Sequence, residues 1–542
     1  MVTAFLEYEF LKGLTFSASG NIDYSQSNLN KYTPGVFDEY HNESKSEGNI
    51  GRQVMLSSEE LLHYNASVND VHNIDVLLGV NTNKEQAFSM YGYGLRGVSD
   101  DVYYYNPQKV PPVVNHGTPE FPDYAATRYY SSDFTEKRMV SYFGRLGYNY
   151  KQRYLLEFTF RRDGSSTFGE GNRWANFPSV AVGWSFSEEP FIKRLTGGWL
   201  NWGKIRGSYG KSGQTFTSAY LAHGLMNIMD KSFFGKTGIT TDKPVSPYLT
   251  WEKTRQYDLG LDMDMFNYRL NVKLDYYYKY TSSLIYDIPI PGSLYAFGAQ
   301  VENAMEISNE GLELELQADI LRESAVSWRM KFNMARNWNR FEKSYSGKDV
   351  VDGDGTLLVV GRPLNGLYVW AHRGYYNSDA EVPRLYKIDG QEIYFNGVAT
   401  NGISGAVGDY RLLDLDGDGN PDSYYAGSPL PLAHGGWVNE LMWKNFDLNV
   451  LVNFTIGRKM INNRMGLGFS RQSEDGHLTK LFDYRKLRPW DGVNKKPNAP
   501  AWGNSLSMNT DSAIEKVHHL ALKQITLGYN LPDRISKKAG LS

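Results

Sequence analysis

Cysteine is absent from all 542 residues. That excludes a disulfide scaffold and any thiolate metal site, and it suits an oxidising or surface location. No stretch approaches 18 consecutive apolar residues, so no transmembrane helix is expected. Charge of one sign is not in excess either: 57 basic against 60 acidic residues leave a formal net charge of −3. No overall field therefore favours nucleic acid, and none is expected as a partner. The opening residues, MVTAFLEYEF, hold neither a basic n-region nor an apolar h-region and already alternate like a strand. Either an export signal lies upstream of them or the protein is not exported.

Aromatic residues and glycine fill the place of what is missing. Tyr, Phe and Trp make up 14% of the chain, with 39 Tyr alone, and there are 53 Gly. Period-two alternation dominates. Leu270, Val272, Leu274, Tyr276, Tyr278 and Tyr280 share one face of a strand, while Asn271, Lys273, Asp275, Tyr277 and Lys279 share the other. LELELQADI (312–320) and FDLNVLVNF (446–454) repeat the pattern. The mean hydropathy of −0.48 is as expected for a transmembrane barrel too, because lipid-facing and lumen-facing residues average out.

About fifteen strands are expected, near 2–10, 14–24, 56–67, 73–83, 138–149, 154–162, 178–186, 202–210, 252–264, 268–280, 308–320, 326–337, 433–443, 446–456 and 517–529. Short links at 11–13, 69–72, 151–153, 188–201, 267, 321–325 and 444–445 alternate with long ones near 25–55, 84–137, 163–177, 211–251, 281–307, 338–432 and 457–516. Strict alternation of this kind predicts an all-β, antiparallel up-and-down transmembrane barrel, with short periplasmic turns and long extracellular loops. Runs of nine to thirteen residues suit the roughly 9–11 needed to cross a bilayer. Tyr276 to Tyr280, Trp199, Trp202, Trp251, Trp437 and Trp443 stand near strand ends, where an aromatic girdle would place them.

Two constellations point to ligands. Asp414, Asp416, Asp418 and Asp422 fall at relative positions 1, 3, 5 and 9, with Gly419 at 6 and Asn420 at 7. This is the spacing of a calcium loop, although position 12 is Tyr425 rather than Glu, and a bound Ca²⁺ or Mg²⁺ is expected as a staple. Tyr103, Tyr104, Tyr105, Tyr129, Tyr130, Tyr375 and Tyr376 are read as loop aromatics whose rings could stack on a substrate, against the plainer reading that they pack loops together. Gly92, Gly94 and Gly97 fit GxGxxG, but in an expected long loop without a following helix nucleotide binding does not follow. His518 and His519 point to opposite faces of a strand. No GxSxG and no HExxH occurs, so no catalytic residues, no organic cofactor and no enzyme are expected.

From Ser141 to Lys193 the chain reads SYFGRLGYNYKQRYLLEFTFRRDGSSTFGEGNRWANFPSVAVGWSFSEEPFIK. It resembles the SusC/RagA family of TonB-dependent outer-membrane transporters. The likeness continues in WLNWGKIRGSYGKSG (199–213), WEKTRQYDLGLDM (251–263), ISNEGLELEL (307–316), GDYRLLDLDGDGNPD (408–422), GSPLPLAHGGWVNEL (427–441) and LALKQITLGYNLP (520–532). The resemblance implies a barrel of about 22 strands around an N-terminal plug, located in the bacterial outer membrane. It implies active import of oligosaccharides or peptides, a SusD-like surface lipoprotein as partner, and energy from the TonB complex. No plug, TonB box or final strands are recognisable, so residues 1–542 are expected to be a partial barrel, lacking the N-terminal plug and C-terminal strands and unable to form a pore alone. Within the resemblance, Arg161, Arg162 and Asp163 are expected to hold a loop to its neighbouring strands. The alternative class is a secreted, calcium-stabilised all-β protein that binds or degrades carbohydrate, and a passive porin is a third. The discriminating feature is an exposed apolar belt of constant height.

Overall fold

The computed structural model describes residues 1–35, 44–95, 113–114, 124–125, 128–216, 218–224, 226–233, 236–241, 244–295, 297–322, 325–351, 357–382, 384–386, 392–394, 407–415, 423–462, 488–493, 496–501 and 510–532. Fifteen long strands follow one another in hydrogen-bonded order as they do in sequence, forming one antiparallel sheet. They are β1 (Val2–Leu11), β2 (Leu14–Thr33), β3 (Lys45–Val68), β4 (His72–Leu95), β5 (Arg128–Tyr150), β6 (Tyr154–Ser165), β7 (Trp174–Trp184), β8 (Leu200–Gln214), β9 (Glu252–Met265), β10 (Leu270–Pro289), β11 (Ala299–Leu321), β12 (Val326–Lys343), β13 (Ala433–Trp443), β14 (Phe446–Ile461) and β15 (Ile514–Tyr529). Each corresponds to one strand expected from the alternation.

The differences lie at the strand ends. β3 and β4 run for 24 residues each, well past the nine to thirteen expected. The excess lies on the side of the long connections, so 25–55 and 84–137 shrink there. The link expected at 163–177 reduces to 166–173. β7 starts and ends earlier than expected, and the link after it holds a helix, α1 (Pro190–Thr196), that the alternation did not reveal. Its seven residues carry Pro at the first turn and close on Gly197 in the left-handed region, a helix start and stop of the ordinary kind. No described helix is long and apolar enough to cross a membrane.

Short turns close by positive φ. Asn69 and Asp70 (55° and 53°), Lys151 and Gln152 (52° and 56°), and Phe266 and Asn267 (56° and 58°) take the conformation that two-residue hairpin turns require. At Gly13, φ is +83° and a Cβ would lie 2.2 Å from the Asn65 carbonyl oxygen, so only glycine fits.

The chain divides into two compact units. The first contains 1–185, 206–257 and 281–305. Its registers sort side chains into two faces, because neighbours across a ladder share a face. One row reads Phe16, Leu62, Leu78, Gly144, Phe160 and Pro178; the next toward the short turns reads Leu14, Tyr64, Val76, Leu146, Phe158 and Val180. Below these, His72, Tyr150, Tyr154 and Trp184 form an aromatic row at the turns. Above them the row Ala18, Glu60, Val80, Tyr142, Arg162 and Asn176 turns polar. On β6, Tyr154 to Arg162 is eight residue steps, roughly 27 Å along the strand and about 20 Å across a membrane at the usual tilt. This is the apolar belt of constant height that distinguishes a membrane barrel from a soluble sheet.

The second unit contains 186–205, 258–280 and 306–542. Trp328, Met330, Phe332 and Met334 share a face with Leu441, Trp437, Leu448, Val450, Val452 and Phe454. Its one polar member, Asn439, accepts a hydrogen bond from Trp328 Nε1 at 3.1 Å, so the face carries no unsatisfied amide oxygen there. Trp443, Phe446 and Tyr529 line up at the turns, with ring centroids 6.3 and 4.7 Å apart. Trp443 and Trp437 are exposed, as a girdle requires. Trp251 departs from that expectation. It is 2% exposed and packs in the first unit against Phe168 and Phe177 at 4.9 and 5.6 Å, its Nε1 donating to the Arg173 carbonyl at 3.2 Å. Its sequence neighbourhood looks like a strand end; its contacts come from residues about eighty positions away.

The face assignment predicts an asymmetry. Val76→Arg, at the middle of the apolar belt, is expected to cost roughly 2–4 kcal/mol of membrane-folded stability, whereas Asn81→Arg on the opposite face costs about zero. Denaturant titration of the protein folded into lipid vesicles measures both, and equal costs would overturn the assignment.

Candidate functional site

The second face of the same strands is polar and forms the candidate ligand surface. Several of its groups pair across the ladder. In the first unit His63 Nε2 lies 2.6 Å from Asp75 Oδ2, and Arg145 Nη2 donates to Asp75 Oδ1 at 2.8 Å. Farther from the turns Gln53 donates to Glu85 at 2.9 Å. Beyond the belt, Tyr91 donates to Glu47 Oε1 at 2.6 Å and Lys45 Nζ sits 2.8 Å from the same oxygen. Burial pushes the Glu47 carboxyl up, but the hydrogen bonds from Lys45 and Tyr91 outweigh it and hold it below its ordinary value. Its carboxylate in turn raises Lys45 and the Tyr91 phenol.

Tyr129 completes this group. Its ring stacks on Tyr93 at 5.5 Å and 20°, Tyr91 lies 6.1 Å away, and Lys45 Nζ covers Tyr93 at 4.5 Å. The outcome is an aromatic ledge with one carboxylate and two cations beside it, Lys45 and Lys31, the latter 3.6 Å from Glu47, and Tyr129 is 49% exposed. Tyr129 and Tyr130 are thus not loop residues: both belong to β5, and being adjacent they point to opposite faces. Tyr130 falls on the other side, 65% exposed. Gly92 and Gly94 likewise lie in β4 and not in a loop, with Gly97 outside the described residues. The ledge residues Lys45, Glu47, Tyr91 and Tyr93 went unnoticed in the sequence. The available signal was the Tyr-Gly-Tyr-Gly alternation, masked by testing it as a nucleotide loop.

Arg161 and Arg162 divide between the faces in the same way. Arg161 donates to Asp163 at 2.7 Å and to Ser141 Oγ at 2.8 Å, with Asp163 and Ser141 buried. Arg162 instead lies over Trp174 at 5.3 Å on the apolar side. These contacts tie strands together, which fits the fold role expected of the block.

In the second unit the polar face carries ion pairs Lys273–Glu315 at 3.3 Å, Arg329–Asp319 at 2.6 Å and Lys331–Glu440 at 2.7 Å. A hollow of about 630 Å³ opens at Gly435 and Gly436, lined by Glu315, Lys331, Asn333, His434, Asn453 and Thr455. Asn333 Oδ1 accepts the Gly436 amide at 2.7 Å, so the glycine lets a side-chain amide approach the backbone.

The long connection between β12 and β13 folds on itself. Residues Leu367–Trp370 pair with Ser423–Gly427, and His372–Tyr375 with Tyr410–Leu412. Tyr375 stacks on Tyr410 at 5.4 Å, His372 meets Tyr410 edge-on at 4.4 Å, and His372 Nδ1 bonds Asp511 of the following connection. Tyr376 is 3% exposed. Burial pushes both phenols up. Tyr375 and Tyr376 therefore pack within this connection, and His372 ties it to the next. Tyr103, Tyr104 and Tyr105 lie outside the described residues. Of the expected cation loop, Asp414 is described and exposed, while Asp416, Asp418, Asn420 and Asp422 lie outside the described residues. Tyr425 packs on Tyr368 at 5.7 Å beneath Arg362 at 5.0 Å, so position 12 is committed to packing. Among the described residues no three His, Asp or Glu side chains gather as metal ligands.

Comparison with known proteins places this arrangement. The family model of the TonB-dependent receptor-like β-barrel matches residues 1–426. TonB-dependent receptor P26 of Formosa agariphila is 29% identical over 88% of this chain and 46% of its own length. TonB-dependent receptor SusC of Bacteroides thetaiotaomicron is 29% identical over 76% of this chain and 39% of its own. The chain spans about half the length of the curated relatives it matches, or less. A solved structure of the RagAB peptide transporter superposes with a TM-score of 0.75 at 22% identity, covering 98% of this chain and 55% of that one, a likeness of fold.

The Glu47 contacts carry a pH signature. A carboxyl held below its ordinary value of 4.5 contributes stability that is complete above that value and is lost as pH falls through the lower folded-state value. Protection factors of the Tyr91 and Tyr93 amides, exchange rates divided into their intrinsic values at each pH, should fall on acidification through that window. Glu47→Gln should remove the pH step.

Proposed function

The chain belongs to the TonB-dependent receptor-like β-barrel family, and on that premise we propose that it is the wall and outer connections of an outer-membrane importer of oligosaccharides or peptides. The observation that carries the reading is the two-faced sheet: an apolar belt of constant height on one side, and on the other a polar surface ending in an aromatic ledge. The belt speaks against a soluble, calcium-stabilised carbohydrate enzyme or binding module, which would bury its apolar face on a core of its own.

In this reading the polar face lines the path. Ring faces and hydrogen-bonding side chains suit cargo with many hydroxyls or amides, which is the chemistry common to sugars and peptides. A SusD-like surface lipoprotein would meet the long connections, and the TonB complex would supply energy through parts of the protein outside these residues. The named relatives lend support: one is a SusC, and a structural neighbour is described as a peptide transporter. Residues 1–542 act within that larger barrel. The Asp414–Asp422 segment would take one Ca²⁺ or Mg²⁺ as a staple of its connection, by its carboxylate spacing.

Two experiments follow. In cells expressing the full-length protein with its partner, Tyr129→Ala should weaken binding of the imported oligosaccharide or peptide by about 1–2 kcal/mol, near tenfold, while Tyr130→Ala on the opposite face leaves it unchanged. Equal losses would sink the ledge as a contact surface. For the staple, calorimetric titration with Ca²⁺ should show one site that Asp416→Asn combined with Asp418→Asn abolishes, and heat release unchanged by that double substitution would exclude it.

A further inference from the structure

On the apolar face of the first unit a hollow of about 650 Å³ interrupts the belt. It lies where Gly144 stands between Leu78 on β4 and Phe160 on β6 and contributes no side chain. Its walls are Phe16, Leu62, Leu78, Leu146, Phe158 and Phe160. The rim toward the long connections is different in kind. Trp174 stacks on Tyr142 at 6.0 Å and 24°, and the Arg162 guanidinium lies over Trp174 at 5.3 Å.

Arg162 differs from Lys84 and Arg138 on this side, while Arg52, four rows farther out and beyond the belt, likewise lies over a ring, that of Phe88 at 5.6 Å. Lys84 and Arg138, two rows farther out, share Glu136 at 3.4 and 2.5 Å. Arg161 takes Asp163 on the other face. Arg162 has no ion-pair partner among the described residues. Glu60 shares its row but stands on β3, three strand spacings or roughly 14 Å away. A guanidinium at the edge of hydrocarbon costs little and reaches the head-group layer, where a phosphate can meet it. The carboxylate at the far end of the row directs such an anion toward β6.

We propose that this hollow holds one acyl chain of an outer-leaflet lipid whose phosphate lies against Arg162. The inference rests on the membrane placement proposed above. Within the belt the surrounding medium is lipid, so the occupant is a chain of that medium. The open floor at Gly144 gives it depth, and Arg162 on its aromatic support gives it a head-group preference that the rest of the belt lacks.

Native mass spectrometry of the full-length protein in mild detergent, with dioleoyl phosphatidylglycerol or dioleoyl phosphatidylcholine added, tests this. The anionic lipid should be retained at about tenfold lower concentration, because the phosphate of phosphatidylcholine already has its own quaternary ammonium as partner and that of phosphatidylglycerol is free to pair with the guanidinium. Gly144→Leu, which fills the floor, should abolish that retention. Arg162→Gln should make the two lipids equal and Arg162→Lys should keep most of the preference. Val182→Leu, on the same face outside the hollow, should change nothing. Equal retention of both lipids by the unaltered protein, or full retention by Gly144→Leu, overturns the site. A protein that stays monodisperse without detergent instead refutes the membrane placement.

Discussion

Strand register is the constraint on which the rest of this molecule depends. In hydrocarbon every backbone N–H and C=O must find a partner inside the protein, so each strand is held to its neighbours along its whole crossing. Once that pairing is fixed, a residue's parity decides the medium it meets. Asp75 and Val76 are covalent neighbours, yet one joins an ion-paired cluster with His63 and Arg145 while the other sits in the belt. Arg161 and Arg162 separate in the same way. The chemistry of each face is thus a consequence of pairing rather than of local composition.

Much of this was legible in the residues. Alternation located all fifteen long strands, since a strand between lipid and a polar interior must repeat every second residue. Short and long connections gave their direction. The outer ends were not legible, for a physical reason. Past the belt both faces meet water, so segments such as Gln86 to Leu95 lose the apolar repeat although their ladder continues for the full length of β4. The same loss hid the ledge of Tyr91, Tyr93 and Tyr129. Trp251 was misplaced because burial by Phe168 is a property of distant chain, without local periodicity.

The aromatic residues divide by what lies at their polar edge. Those at the turns, such as Trp443 and Phe446, stack along the belt's margin. Those beyond the belt near the long connections of the first unit pair with charge, as Tyr91 does with Glu47. Those in the long connections are drawn inward, as Tyr375 is against Tyr410, and spend their surface on packing within their own connection, which His372 ties to the next through Asp511. Counting tyrosines therefore says little about cargo; the ladder position of each says more.

The parity rule also bears on how such a chain can vary through descent. Inserting or deleting one residue inside β4 or β5 would exchange the two faces for every position beyond it, delivering Asp75-like groups to lipid and Val76-like groups to the interior. Substitutions can be absorbed singly, whereas a change of length needs a bulge to restore the faces, such as the register shift between Thr455 and Arg458 on β14. Length variation among descendants is thereby channelled into the connections, and the long ones carry almost no register to protect. The side of the protein that meets the outside world is free to be rewritten while the wall beneath it stays the same length.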